Sequence, residues 1–205
     1  MKPLLVAIVG GSASGKTTLA RNLADALRPD SAVLSLDAFY LGTDHLAPAR
    51  RERLNFDHPR RIDWPLLADV LDHALDGRAA AIPRYSFQRH TRESTGDLLP
   101  PCRYVVVEGL WVLRRRDIRN RCALKIFVGC SGAERLRRRL RRDLAERGRT
   151  RNQVLRQWQE QSEPGYRRFV APQRRHADRI VRSPVPARQL DRLVRDIQAL
   201  AGDSP

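Results

Sequence analysis

The chain has 205 residues, enough for one α/β domain with a full hydrophobic core and a small appended lobe. No stretch approaches the roughly 20 apolar residues of a membrane span, and Met1-Lys2-Pro3-Leu4 runs straight into apolar sequence with no cleavable leader, so a cytoplasmic protein is expected. The net charge of +16 raises nucleic-acid binding, yet only three of the 39 basic residues are lysine and the arginines are spread along the chain with no helix-turn-helix, RNP or zinc pattern, so a dedicated nucleic-acid role is disfavoured.

In chain order, Leu4 to Val9 reads as a buried strand, and Gly10 to Thr17, GGSASGKT, follows it and opens the helical pattern from Thr18. Gly-x-x-x-x-Gly-Lys-Thr in a strand-loop-helix context is a phosphate-binding loop. Its inward N–H groups and the helix N-terminus make a concave anion site, so Gly10, Gly11, Ser12, Ala13, Ser14, Gly15, Lys16, Thr17 and Thr18 are the candidate nucleotide ligands. Lys16 is placed to reach the outer phosphates and the Thr17 hydroxyl to ligate Mg²⁺.

Further strands are predicted at Ala32 to Leu36, Tyr104 to Val107, Leu124 to Val128 and Arg179 to Val181. Their alternation with helical patterns predicts an α/β fold, a doubly wound parallel sheet of about five strands with helices on both faces. Asp37 stands at the end of the second strand and Glu108 at the end of the third, the edge where open parallel sheets place their ligand crevice. There Asp37 could accept a proton from an acceptor hydroxyl, and Glu108 could hold Mg²⁺ or its water.

Residues 41–101 exceed what a minimal crossover needs. They contain a helix over Trp64 to Leu75 and two small strands, Ala81 to Phe87 and Asp97 to Leu99, read as a substrate-accepting lobe inserted into a single domain over 1–205. Residues 134–149 carry a helix with Leu136, Leu140 and Leu144 as an apolar face and Arg135, Arg139 and Arg142 as a stripe beside it. That stripe either solvates the outside of the helix, with Asp143 pairing to Arg139 and Arg147, or forms an arginine-rich lid over the nucleotide. A last helix, with Leu190, Leu193, Val194 and Ile197 on one face, is structural. Cys102, Cys122 and Cys130, odd in number and without metal-ligand spacing, are expected to be reduced and inert.

Five ordered segments extend this reading. Beyond the phosphate loop, Ser35-Leu36-Asp37-Ala38-Phe39-Tyr40, Asn55-Phe56-Asp57-His58-Pro59, Pro83 to Arg92, Val106-Val107-Glu108-Gly109 and Arg142 to Arg149 resemble the motifs of the uridine (uridine-cytidine) kinases, within the wider group that contains phosphoribulokinase. The resemblance implies a P-loop kinase using ATP or GTP with Mg²⁺ to phosphorylate the 5′-hydroxyl of uridine or cytidine, and a possible homotetramer. It implies Asp37 as the general base, Asp57 on a ribose hydroxyl, and Tyr40, Tyr85, Phe87 and His90 around the pyrimidine, with Gln157 on the base. Arg142 would bind the ribose side, and Arg139, Arg147 and Arg149 would reach the phosphates as a closing lid; Lys16, Asp37, Arg142 and Arg147 form the catalytic set, and Thr17, Asp37 and Glu108 the metal set. Related acceptors such as a phosphoribulose, nicotinamide riboside or pantothenate are the alternatives, and a nucleic-acid-binding NTPase is a weaker one. Four positions depart from the family pattern: Ser86 for an aspartate, Trp158 for a tyrosine, Ser162-Glu163-Pro164 for a V-K-P-like turn, and His176 for a tyrosine.

Overall fold

A computed structural model describes residues 2–47, 54–87, 89 and 91–202. Its centre is a five-stranded sheet of β1 (Leu4–Gly10), β2 (Ser31–Ser35), β7 (Tyr104–Gly109), β8 (Leu124–Gly129) and β9 (Arg179–Arg182) in the order β2-β7-β1-β8-β9. Every pairing in it is parallel. The central strand β1, LLVAIVG, is buried along its whole length, as a strand covered on both faces must be. Side chains alternate between two cores: Leu5, Ala7 and Val9 join one, and Leu4, Val6 and Ile8 the other.

The second core is closed by α1 (Lys16–Ala26), through Leu19 and Leu23, and by the last helix, α6 (Ala187–Leu200), through Leu193 and Ile197. The first is closed by α2 (Trp64–Leu75), through Leu67, Val70 and Leu71, and by α3 (Arg116–Arg121), through Ile118. Asp63 starts α2 as its N-cap, accepting from the Leu66 N–H at 3.2 Å, and Pro65 sits in the first turn.

Between α2 and β7 the chain forms two short antiparallel ribbons, β3 (Ala80–Ile82) with β6 (Asp97–Leu99) and β4 (Tyr85–Ser86) with β5 (Thr91–Arg92). Where one continuous strand over Ala81 to Phe87 was expected, the chain breaks at Pro83, which has no N–H to donate, and starts a second ribbon. Arg92 ties that ribbon to the end of the turn after β2 and to the start of α2: it donates to the Tyr40 carbonyl (3.0 Å) and to Asp63 Oδ2 (3.0 Å).

After β8, Ser131 caps α4 (Gly132–Glu146), and Thr150 with Gln153 forms a capping box at the start of α5 (Arg151–Gln157). The helical path then continues through wide π-type turns over Trp158–Ser162 and Tyr166–Val170 and tightens over Ala171–His176. Neither α3 nor this run after Thr150 is visible as an apolar stripe in the sequence.

The face of α4 is a correction. The leucines were read as the apolar face of this helix and the arginines as a stripe beside it, yet Arg135, Arg139 and Asp143 are its buried residues, and Leu144 is 46% exposed. The reason is what α4 packs against: polar and aromatic groups from α5 and the turns after it receive the guanidiniums. No helix among the described residues is long and apolar enough to cross a membrane.

Candidate active site

The phosphate loop leaves β1 at Gly10 and enters α1 at Lys16. Gly15 has φ +89°, a left-handed conformation that favours glycine, and a Cβ there would lie 2.8 Å from Ser183 Oγ. At Gly10 a Cβ would lie 2.9 Å from the Val128 carbonyl, so the loop's first glycine lets it press against β8.

Parallel register places Glu108 level with Ile8 of β1 on one side and Ser35 of β2 on the other. Its buried carboxylate therefore sits beneath the loop, where Oε1 accepts hydrogen bonds from Thr17 Oγ1 (3.1 Å) and Ser35 Oγ (3.0 Å). Lys16 Nζ lies 3.8 Å from Oε2, and that buried oxygen accepts no hydrogen bond. A hydroxyl beside an oxygen left without a donor is a hard donor set, so Thr17 and Glu108 fit Mg²⁺.

Asp37 lies one turn beyond β2, in a 3₁₀ turn over Leu36–Phe39 whose N–H at Asp37 is capped by Ser35 Oγ at 3.3 Å. Ser35 thus supports both acids at once. Burial pushes the Asp37 carboxyl up, and the Glu108 charge adds to this, while Lys16, Arg147 and Arg142 act to lower it. Lys16, Thr17, Asp37, Glu108, Arg142 and Arg147 all line one cleft of about 1220 Å³.

Its far wall is aromatic. Tyr85 and Phe87 line the cleft with their rings 5.3 Å apart and nearly perpendicular, and the Arg147 guanidinium lies over the Phe87 ring at 5.1 Å. Tyr40 stands behind them: its ring is 5.2 Å from Tyr85, it is 4% exposed, and its hydroxyl donates to the Phe56 carbonyl at 2.9 Å. Burial pushes that hydroxyl well above its ordinary value. Tyr40 was expected on the pocket wall; it backs the wall instead. His90 lies outside the described residues.

A second polar centre sits where α4 meets the segment after it. Asp143, fully buried, accepts from Arg142 Nε at 2.8 Å, and Arg139 (3.3 Å), Arg147 (3.7 Å) and Arg149 (3.8 Å) complete four guanidiniums around one carboxylate. Arg139 donates to Gln157 Oε1 (2.8 Å) and to Ser162 Oγ (2.6 Å), and Arg149 also donates to Gln157 Oε1. Ser162 in turn donates to Asp57 Oδ2 at 2.5 Å. Burial pulls Arg139 below the ordinary guanidinium value, opposed by Asp57 and Asp143.

Arg139, Arg147 and Arg149, expected to reach the phosphates together, are therefore split, and Arg142, expected on the ribose side, shares the cleft with Arg147. Arg142 and Arg147 face the cleft, whereas Arg139 and Arg149 turn to Gln157, and Arg139 lies 3.9 Å from Asp57. The cause is Asp143: its buried charge holds four arginines at one end of α4, two of them turned to Gln157 and two to the cleft. Both readings of the stripe left something out, since Arg135 and Arg139 are neither solvated nor exposed to the cleft. Arg135 is 2% exposed, ion-paired to Glu163 at 2.8 Å and stacked on Tyr166 at 3.8 Å.

Ser35, Ser162, Arg92 and Arg138 were missed by the sequence reading. Arg138 lines the cleft and donates to Ser183 Oγ at 2.8 Å, over the phosphate loop. Ser35 and Arg92 stood inside quoted motifs and Ser162 in a departure from the family pattern, but none of them had been given a role; Arg138 had no signal.

Strand order, phosphate loop and basic helix together define a P-loop kinase fold. Comparison with known proteins agrees: the model of the Phosphoribulokinase / Uridine kinase family matches residues 5–190. Uridine kinase of Mycoplasma pneumoniae is 41% identical over 182 residues, covering 88% of this chain and 85% of that protein. Uridine kinase of Lactobacillus johnsonii is 37% identical over 182 residues, with 88% and 86% covered. Phosphoribulokinase from Rhodobacter spheroides superimposes with a TM-score of 0.63 at 16% identity, covering 88% of this chain and 70% of that one. The chain belongs to the Phosphoribulokinase / Uridine kinase family.

Proposed function

We propose that this protein transfers the γ-phosphoryl group of ATP to the 5′-hydroxyl of uridine or cytidine, forming UMP or CMP and ADP. One observation carries the reading: Asp37 shares a single cleft with the lysine of the phosphate loop on one side and the Tyr85–Phe87 ring wall on the other. In the proposed arrangement a polyphosphate lies at the loop and a flat ring at the aromatic wall, with Asp37 as the base.

In this reading the loop N–H groups and Lys16 hold the β- and γ-phosphates. Thr17 and Glu108, with Asp37 nearby, would hold Mg²⁺, which offsets the charge on the phosphate oxygens when bound. Asp37 accepts the proton of the 5′-hydroxyl as that oxygen bonds to the γ-phosphorus and the bond to the β,γ-bridging oxygen breaks. Its raised proton affinity makes it a stronger base than an exposed carboxylate. Arg142 and Arg147 supply fixed positive charge from the lid side. Asp57, Arg139, Gln157 and Arg149 serve the nucleoside side.

Relatives of this name support the acceptor: proteins 37% and 41% identical are uridine kinases. The aromatic wall favours a nucleoside over a phosphosugar, whose second phosphate would call for basic groups where Tyr85 and Phe87 stand. Incubation with Mg-ATP and a panel comprising uridine, cytidine, other nucleosides, ribulose 5-phosphate and pantothenate tests this. UMP and CMP are the expected products, and their absence refutes the proposal.

A further inference from the structure

We infer that Ser162 is a positioning residue for the sugar of the acceptor, acting through Asp57; this rests on the function proposed above. Its hydroxyl, in a residue 6% exposed, is a relay: it accepts from Arg139 Nη1 at 2.6 Å and donates to Asp57 Oδ2 at 2.5 Å. Arg139 itself lies 3.9 Å from Asp57, too far for a hydrogen bond. The serine therefore completes a contact that the arginine does not make directly.

The relay decides which oxygen of Asp57 is available. Oδ2 is tied to Ser162, while among the described residues Oδ1 accepts no hydrogen bond. A carboxylate pinned at one oxygen and open at the other presents a fixed acceptor to a vicinal hydroxyl. The backbone is pinned as well: a Cβ on Gly165 would lie 3.0 Å from the Asp57 carbonyl, so the turn carrying Ser162 seats directly against the segment carrying Asp57. An apolar side chain at position 162, as in the V-K-P-like turn of the family pattern, can neither accept from Arg139 nor donate to Asp57. The relay is then a feature of this chain, and it links a departure from that pattern to the sugar subsite.

The test is steady-state kinetics of the wild type, Ser162→Ala, Ser162→Thr, Asp57→Asn and the double variant Asp57→Asn/Ser162→Ala, with uridine, 2′-deoxyuridine and 3′-deoxyuridine. Loss of a hydrogen bond to a charged group corresponds to about a ten-fold change or more. Ser162→Ala should raise KM for uridine by that factor, with kcat and the KM for ATP changed less than two-fold or so, and should lose less with the deoxynucleoside whose missing hydroxyl Asp57 would have held. Ser162→Thr, which keeps a hydroxyl, should stay nearer the wild type. In the double variant the two effects on uridine KM should not add, because both break one relay. An unchanged uridine KM in Ser162→Ala, equal losses with all three nucleosides, or full additivity with Asp57→Asn overturns the inference while leaving the function standing. A wild type that forms no UMP overturns both.

Discussion

The two ends of the cleft are built by opposite strategies. On the phosphate side, the eight consecutive residues Gly10 to Thr17, from the end of β1 to the first turn of α1, make the candidate anion site, and parallel register delivers Glu108 and Ser35 to it. At the polar centre proposed to serve the sugar, Asp57, Arg139, Asp143, Arg149, Gln157 and Ser162 come from separate segments and meet through side-chain hydrogen bonds and ion pairs. The first site is a property of the backbone, so its demands fall on the loop glycines, Lys16 and Thr17. The second has no backbone frame of its own, so each partner depends on the others. Substitutions should therefore act one function at a time at the first end and propagate at the second.

Asp37→Asn should show the largest effect. Removing a general base lowers kcat by about 10²–10⁴-fold, while ATP binding, measured by calorimetry, should persist because the phosphate loop is untouched. Its pH behaviour follows from its environment. Burial and Glu108 raise the folded-state proton affinity of Asp37 above its unfolded value. Such a group contributes stability while protonated and loses it as pH rises through the folded value, so ionised Asp37 costs stability at neutral pH. Asp37→Asn should then raise the thermal midpoint at pH 7 even as it removes turnover, and the acid limb of wild-type kcat/KM should lie above the ordinary carboxylate range. A variant that loses stability, or keeps near-normal turnover, contradicts the assignment.

Asp143→Asn tests the other end. Removing one partner of a buried charge group costs about 3–5 kcal/mol, and the lower end applies because Arg142, Arg147 and Arg149 each keep about a third of their side chains in water. Urea unfolding should show the loss at unchanged slope. Uridine KM and kcat should both suffer if the proposed roles hold, since Asp143 pairs with Arg139 of the Ser162 relay and with Arg142 and Arg147 of the cleft. A change confined to one kinetic constant would mean that the arginines are held independently.

How far each end could be read from sequence follows the same division. The phosphate loop, the five strands, Asp37 and Glu108 were legible because local spacing and the carboxyl edge of a parallel sheet determine them. The sugar-side partners were legible only through motif resemblance, and their pairing was not legible at all. Nothing in the spacing of Asp57 and Ser162, 105 positions apart, joins them. Tyr40 and Tyr85 carry the same chemistry in sequence, and only packing makes one the backing and the other the wall.

Gly109→Ala sharpens the backbone side of the contrast. A Cβ at Gly109 would lie 2.3 Å from Leu36 Cβ, and Leu36 opens the turn that carries Asp37. Overpacking of this kind costs about 1–3 kcal/mol, and relief by moving Leu36 would displace the base. Reduced kcat with little change in ATP KM is expected; equal kinetics with lower stability would show that the turn shifts as a rigid unit without consequence for catalysis.

The smallest effect separates the structure from the amphipathic pattern. Leu136, Leu140 and Leu144 repeat every fourth residue, the spacing of a core-facing stripe, and a leucine in such a core costs about 2–5 kcal/mol when truncated. In α4 the packing is reversed: Asp143 is fully buried and its neighbour Leu144 is 46% exposed. Leu144→Gln should therefore change stability by no more than about 0.5 kcal/mol, against a several-fold larger loss for Asp143→Asn one residue away. Paired urea titrations of the two variants decide it. If Leu144→Gln were the more damaging, the leucine face would be the one that packs, and the proposed Arg139–Ser162–Asp57 relay would lose its support.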